Sequence, residues 1–231
     1  MRHLFIIFLL AAGLTGLEMN AQSPLSTLRE LEGFRSRSGK YLMQIGEEGH
    51  IAGTPYLKDA FFPGSLMING RWYDSVNLRY NAFERAFEVK IDQGIFVIDP
   101  EKAVADTIMY NDETYVPKNL GKEGSVRLEY LVLIAEGEGF SLCKRYSVRM
   151  DNPVPADGYQ EAQPAEYKPN PPAYYLFKNG SSTEIKGRKS IRELFGVTRR
   201  DLRRYLRKHD YSLREEEDLQ SVILHYASQP Q

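Results

Sequence analysis

The chain has 231 residues, 42% of them hydrophobic, with 30 Lys and Arg against 31 Asp and Glu and a formal charge of −1. That balance excludes whole-molecule steering toward polyanions. A lone cysteine, Cys143, excludes an internal disulfide framework, so stability has to come from a packed core.

The amino terminus "MRHLFIIFLLAAGLTG" sets Arg2 ahead of an apolar run from Leu4 to Leu14, too short for a membrane-crossing helix and patterned as an export signal. Residues 1–21 are expected to be that signal, cut after Ala21, with Gly13 and Gly16 as alternative sites. The expected location is the periplasm or the exterior. No cysteine follows the apolar run, so no lipoprotein anchor is expected, and no later run approaches the ~20 residues of a membrane span. Residues 22–45 are expected to be an N-terminal helical segment: Ser23 caps it, Pro24 sits in the first turn, Leu25, Leu28 and Leu31 keep a helical spacing, and Gly33 stops it.

Residues 46–150 switch to a period of two. In "SLMINGRWYDSVNLRYN" the dipeptide Asn69-Gly70 sits between apolar runs, the turn signal of a hairpin, because both residues tolerate positive φ. "AFEVKI", "GIFVID" and "AVADTIMY" follow, broken at Asp92-Gln93-Gly94 and Asp99-Pro100. From Val126 to Ile134 apolar residues alternate first with Arg127 and Glu129 and then with Leu131 and Leu133, and Glu136 to Gly139 turns the chain into a partner strand. The expected fold class is α+β: about seven sequential strands as an antiparallel β-meander (barrel, half-barrel or sandwich), then a small C-terminal three-helix segment.

Residues 151–173 hold six of the twelve prolines and are expected to be an extended linker or strap. Residues 174–231 are expected to be a hairpin, turning at Asn179-Gly180, and three short helices. Ser190 with Glu193, Thr198 with Asp201, and Ser212 with Glu215 match the capping-box spacing, and Gly196 suits a left-handed helix end. On the middle helix Leu202, Tyr205 and Leu206 make a narrow apolar stripe opposite Arg200, Arg203, Arg204, Arg207 and Lys208. On the last helix Leu219, Val222, Ile223 and Tyr226 form the apolar face. The loop "HDYS" is expected to fold the chain back and bring Arg207 and Lys208 near Glu215 and Glu216.

From Lys178 to His209 there are eleven Lys and Arg against Glu184, Glu193 and Asp201. Nucleic-acid binding is the sharp interpretation of that excess. The export signal and the neutral total charge weigh against it, so no nucleic acid is expected. The basic face, Arg200, Arg203, Arg204, Arg207 and Lys208, is the candidate surface for an envelope protein or an anionic surface, to the extent that it is not paired internally or simply solvated.

Catalytic patterns are missing: no GxSxG elbow, HExxH, phosphate-cradling glycine loop or CxxC occurs. His50, His209 and His225 have no metal-pair spacing, so no catalytic residue, metal ligand or cofactor is expected. Cys143 alternates with strand residues and is expected in the core. Glu84 and Glu88 of "FERAFEV" share a face if both lie in one strand, the basis of a third, hydrolase reading. Trp72, Tyr73 and Tyr80 are the candidate aromatics of a ligand groove, for a carrier of an apolar or glycan ligand in a half-barrel.

Gly53, Pro55, Tyr56 and Leu57, then Leu78, Arg79, Tyr80 and Asn81, with "YYLFKNG" and "LRRYLRKH" later, resemble the motifs of an uncharacterised exported protein family of Bacteroidota. The resemblance covers most of the chain after the export signal. It implies an envelope or secreted location and carries no established activity, hence no catalytic residue. In that setting Asn81 is expected to end a strand and Arg79 to pair with a carboxylate such as Glu88. The expected function is an exported non-enzymatic binding or structural module; the oligomeric state is left open.

Overall fold

A computed structural model describes residues 34–36, 51–92, 94–102, 105–121, 125–156, 158 and 161–229. The expected export signal and the helix over Ser23–Gly33 lie outside these residues. Phe34–Ser36, which the sequence placed in a helical segment, instead forms strand β1.

The other strands are β2 (Phe62–Ile68), β3 (Arg71–Asn81), β4 (Ala86–Ile91), β5 (Gly94–Ile98), β6 (Thr107–Tyr110), β7 (Glu113–Asn119), β8 (Leu128–Gly137), β9 (Phe140–Arg145), β10 (Val148–Asp151), β11 (Glu166–Pro169), β12 (Ala173–Lys178) and β13 (Ser181–Glu184). Eleven of them make one sheet in the order β1-β5-β4-β3-β2-β6-β7-β8-β9-β12-β13, every pairing antiparallel. Helices α1 (Arg188–Phe195), α2 (Arg199–His209) and α3 (Glu216–Ala227) follow. This is the expected α+β meander with a helical end.

The sheet is curled into a half-barrel. Strands β4 and β7 are four steps apart in the order, which in a flat sheet is ~19 Å at ~4.8 Å per step. The rings of Phe87 and Tyr115, one on each strand, are nevertheless 4.9 Å apart. Tyr80, Phe87, Tyr110, Tyr115 and Tyr130 meet inside the curl, none more than 1% exposed.

Turn chemistry explains the short connections. Asn69 and Gly70 (φ 51° and 74°) and Asn179 and Gly180 (φ 52° and 75°) both take the left-handed conformation of a tight hairpin, as their residue types imply. Asn111 and Asp112 (φ 54° and 61°) do the same between β6 and β7, without a glycine. Pro63 in β2 and Pro117 in β7 lie past the ends of short β6, where one flank of each strand has no ladder to complete.

Two bulges redirect the sheet. Ser75, at φ 57°, is the extra residue of β3, so Tyr73 and Val76 both face the interior three residues apart. Ile134 is the extra residue of β8, so Ala135 shares the face of Val132 instead of that of Leu131 and Leu133, and there it joins a second core. There the concave face of β8, β9 and β12 carries Ala135, Phe140, Leu142 and Leu176 against Ile191, Leu202, Leu206, Leu219, Val222 and Ile223 of the helices. The helical tail therefore docks on this part of the sheet. Since β12 pairs with β9, the last hairpin belongs to the same sheet as the strands before the proline-rich stretch.

That stretch is not wholly extended linker: β11 lies within it and pairs with β10, and Val154 bridges Gln163. The Ala52 N–H donates to the carbonyl of Ala165, and the Tyr167 N–H donates to that of Ala52, each at 2.8 Å. Gly53 sits beneath, at φ 75°, where a Cβ would come within 2.5 Å of the Tyr167 carbonyl oxygen.

One of the three expected capping boxes forms in part. The hydroxyl of Thr198 accepts from the Asp201 N–H at 3.2 Å, and Gly196 ends α1 at φ 63°. Helix α1 instead starts from Gly187, with the Ser190 hydroxyl accepting from the Lys186 N–H and donating to the Gly187 carbonyl. Helix α3 starts from Glu215, and the Ser212 N–H donates to Asp218 Oδ2 at 2.7 Å. In both cases the helix begins away from the serine, so its hydroxyl cannot serve as the cap.

Candidate functional site

The tail helices present the most concentrated charge in the molecule. Leu202 and Leu206 turn α2 toward the core at 1% and 4% exposure, which leaves Arg199, Arg200, Arg203, Arg204, Arg207 and Lys208 in water. Arg204 reaches Asp201 at 3.5 Å, and on α1 Lys189 reaches Glu193 at 3.8 Å, both exposed contacts of small energetic weight. Among the described residues Arg188, Arg192, Arg199, Arg200, Arg203, Arg207 and Lys208 make no ion pair.

The expected closure of Arg207 and Lys208 onto Glu215 and Glu216 does not occur. Glu216 turns the other way, toward the sheet, where Lys144 Nζ holds its Oε2 at 2.9 Å. The five cations expected on α2 are therefore joined by Arg199 and by three from α1. Arg188, Lys189, Arg192, Arg199 and Arg203 line one groove of about 280 Å³ between the helices, floored by Leu202. The signal for these extra residues was already in the charge count; what the sequence withheld was the helix crossing that brings the two rows together.

A polar network anchors α3 to the sheet. Lys144, 7% exposed, binds Glu113 Oε1 at 2.8 Å as well as Glu216. The hydroxyls of Tyr146 and Tyr115 donate to Glu113 at 2.7 and 3.0 Å, and that of Tyr174 donates to Glu216 at 2.9 Å. Burial pulls the Lys144 ammonium down, yet Glu113 and Glu216 hold it above the usual lysine range. Burial, reinforced by the hydrogen bond to Glu216, pushes the Tyr174 phenol up to about 12. Gln220 of α3 also donates to the Ile134 carbonyl freed by the bulge, at 3.1 Å. Between α2 and α3 the ring of Tyr205 stacks on His225 at 4.1 Å and meets Tyr226 at 5.4 Å.

The other sequence candidates are dispersed. Trp72 is 44% exposed near the β2–β3 turn, paired in register with Met67, whereas Tyr73 and Tyr80 point into the filled interior at 7% and 0%. No aromatic groove forms from the three. Glu84 lies in the turn after β3, and Glu88 is fully buried beside Arg79, whose Nη2 is 2.6 Å from its Oε2. The Arg79 guanidinium sits 3.7 Å from the Tyr56 ring centre and 4.4 Å from that of Phe61. The structure thus bears out the Arg79–Glu88 pairing and the strand end at Asn81, and it separates the two glutamates of the hydrolase reading.

Cys143 is fully buried, and burial pushes its thiol up to about 11. No cluster of potential metal ligands occurs among the described residues. One buried carboxylate escaped the sequence reading: Glu129 of β8, 3% exposed, accepts Arg85 and Arg127 at 3.2 Å each. It ties the turn after β3 to β8 across the seam of the curl. No described helix is long and apolar enough to cross a membrane.

Comparison of the chain with protein-family models, curated proteins and solved structures found no match.

Proposed function

We propose that the protein is an exported, non-enzymatic interaction module of the envelope, whose α1–α2 face engages an anionic partner. One observation carries the reading: among the described residues, seven Lys and Arg side chains of two short helices lack any ion pair. Surface cations gain little from intramolecular partners. A cluster held this close together, on helices fixed through the buried Ile191, Leu202 and Leu206, is set up for an outside anion. Export is supported by the amino-terminal pattern of Arg2 and Leu4–Leu14. The filled interior lends no support to a carrier, and the separation of Glu84 from Glu88 lends none to a hydrolase.

The test is cross-linking in intact cells from a photoreactive side chain at Arg200, comparing the parent with Arg203→Glu, Arg204→Glu and Arg207→Glu combined. The expected result is loss of the cross-linked partner in the triple variant, with each exposed site changing unfolding free energy by no more than about 0.5 kcal/mol. Undiminished cross-linking, or collapse of stability, overturns the reading.

A further inference from the structure

We propose that the α1–α2 face docks on an anionic phospholipid surface, with a headgroup phosphate seated in the groove between Arg188, Arg192, Arg199 and Arg203. This rests on the reading above and narrows it to one ligand class.

Side-chain chemistry comes first. Seven of the nine cations from Arg188 to Lys208 are arginines, whose planar fork bonds two phosphate oxygens at once, where an ammonium acts as a point charge. The groove puts four of these forks on two facing walls, three of them exposed and Arg192 half-buried.

Arrangement comes second. The cations continue from the groove along the outer side of α2 through Arg200, Arg204, Arg207 and Lys208. They cover an area, as a planar array of headgroups requires, rather than a single track for a linear polymer. The aromatic rings that could stack on bases or sugars are turned inward: Phe195 lies 5.9 Å from Tyr226, and Tyr205 packs on Tyr226 and His225. Among the described residues α1 and α2 expose no large apolar side chain, so the contact is with headgroups and not with acyl chains.

Arg188–His209 holds nine Lys and Arg against Glu193 and Asp201, an excess of seven, while the whole chain is −1. The remainder is therefore −8. Such a molecule orients in the field of a negative plane, basic face inward and acidic bulk outward, and that attraction fades within a Debye length as salt rises.

The experiment is vesicle flotation of the full chain at low and high salt. One set of vesicles is phosphatidylcholine alone, one contains phosphatidylglycerol, and one carries a fatty-acid carboxylate at the same surface charge. Binding to the phosphatidylglycerol vesicles is expected, weakened by salt and by about fivefold for each neutralised arginine. Arg192→Gln with Arg203→Gln should thus bind roughly 25-fold more weakly. Arg188→Gln with Arg199→Gln, both exposed, serves as a second variant whose fold is not in question. Parent and variants share one amino terminus, so their difference reports on the face alone.

Equal binding to all three vesicles, or equal binding by parent and variants, overturns the proposal. Carboxylate vesicles binding as tightly as phosphatidylglycerol overturn the phosphate seat. Capture of polyglutamate or duplex DNA without vesicle binding overturns membrane docking and leaves the anionic-partner reading standing. Failure of every probe, together with undiminished cellular cross-linking in the triple glutamate variant, brings down both.

Discussion

Lys144 shows how much one side chain can hold. It lies on β9 yet its ammonium joins Glu113 on β7 to Glu216 on α3, so the sheet and the tail share one nearly dry charge. Lys144→Ala leaves both carboxylates facing an empty site, and a loss of about 2 to 3 kcal/mol is expected. That is below the ~3 to 5 kcal/mol of a fully buried broken pair, because the Glu216 side chain keeps 36% exposure. Urea unfolding checks it. Adding Glu113→Gln to Lys144→Met should recover part of the loss; no recovery would mean that the lysine acts through packing alone. Arg79 with Glu88 was legible in the sequence because the two sit opposite each other on adjacent strands. Lys144 with Glu216 was not, because they are 72 positions apart and only the docking of α3 joins them.

Among the elements, hairpins were the most readable and short strands the least. Asn-Gly turns announced themselves through backbone chemistry that few other residues permit, whereas Asn111-Asp112 makes an equivalent turn with a weaker signature, so β7 went unread. The bulges at Ser75 and Ile134 were also invisible, since an extra residue leaves composition and hydrophobicity unchanged and alters only the register. Caps were legible where a threonine fell next to the first helical residue and misleading where a serine lay inside or ahead of the turn. Gly64 gives a test at this scale. A Cβ there would lie 2.5 Å from the Met109 carbonyl oxygen and 2.7 Å from Leu78 Cδ1, so Gly64→Ala should cost about 1 to 3 kcal/mol and loosen β6 against β2. Amide exchange at Thr107 and Met109, whose N–H groups face β2, should accelerate accordingly. Gly70→Ala, with no atom within 4 Å, strains only its own φ of 74° and should leave that exchange unchanged.

At the level of the whole molecule, the filled interior fixes how stability responds to pH. Burial raises the phenols of Tyr80, Tyr115, Tyr130 and Tyr174 above their ordinary value of 10.0, Tyr130 to about 12. An unfolded chain ionises these groups near pH 10 while the native chain keeps its protons, so their stabilisation is complete below pH 10 and is lost as pH rises beyond it. Lys144, also raised, acts with the same sign. Each phenol contributes a decline of about 1.4 kcal/mol per pH unit while the two states differ by a full proton. Urea midpoints should therefore be flat up to about pH 9 and fall steeply by pH 11. A midpoint that stays level through pH 11 would show that these four rings ionise without unfolding.

The fold class was accessible from pattern because most neighbouring strands are also neighbours in sequence. The candidate face was accessible as a charge count, but the groove and its anchoring came from three-dimensional packing. That same packing has a consequence in time. Phe140, Leu142 and Leu176 are made before the helices that shield them, and roughly fifty residues separate Lys178 from Tyr226. At ~5 to 20 residues per second of synthesis, a nearly complete sheet waits several seconds with an apolar flank bare. During that interval the growing chain is adhesive, and whatever escorts it has to bind the flank that α3 later seals.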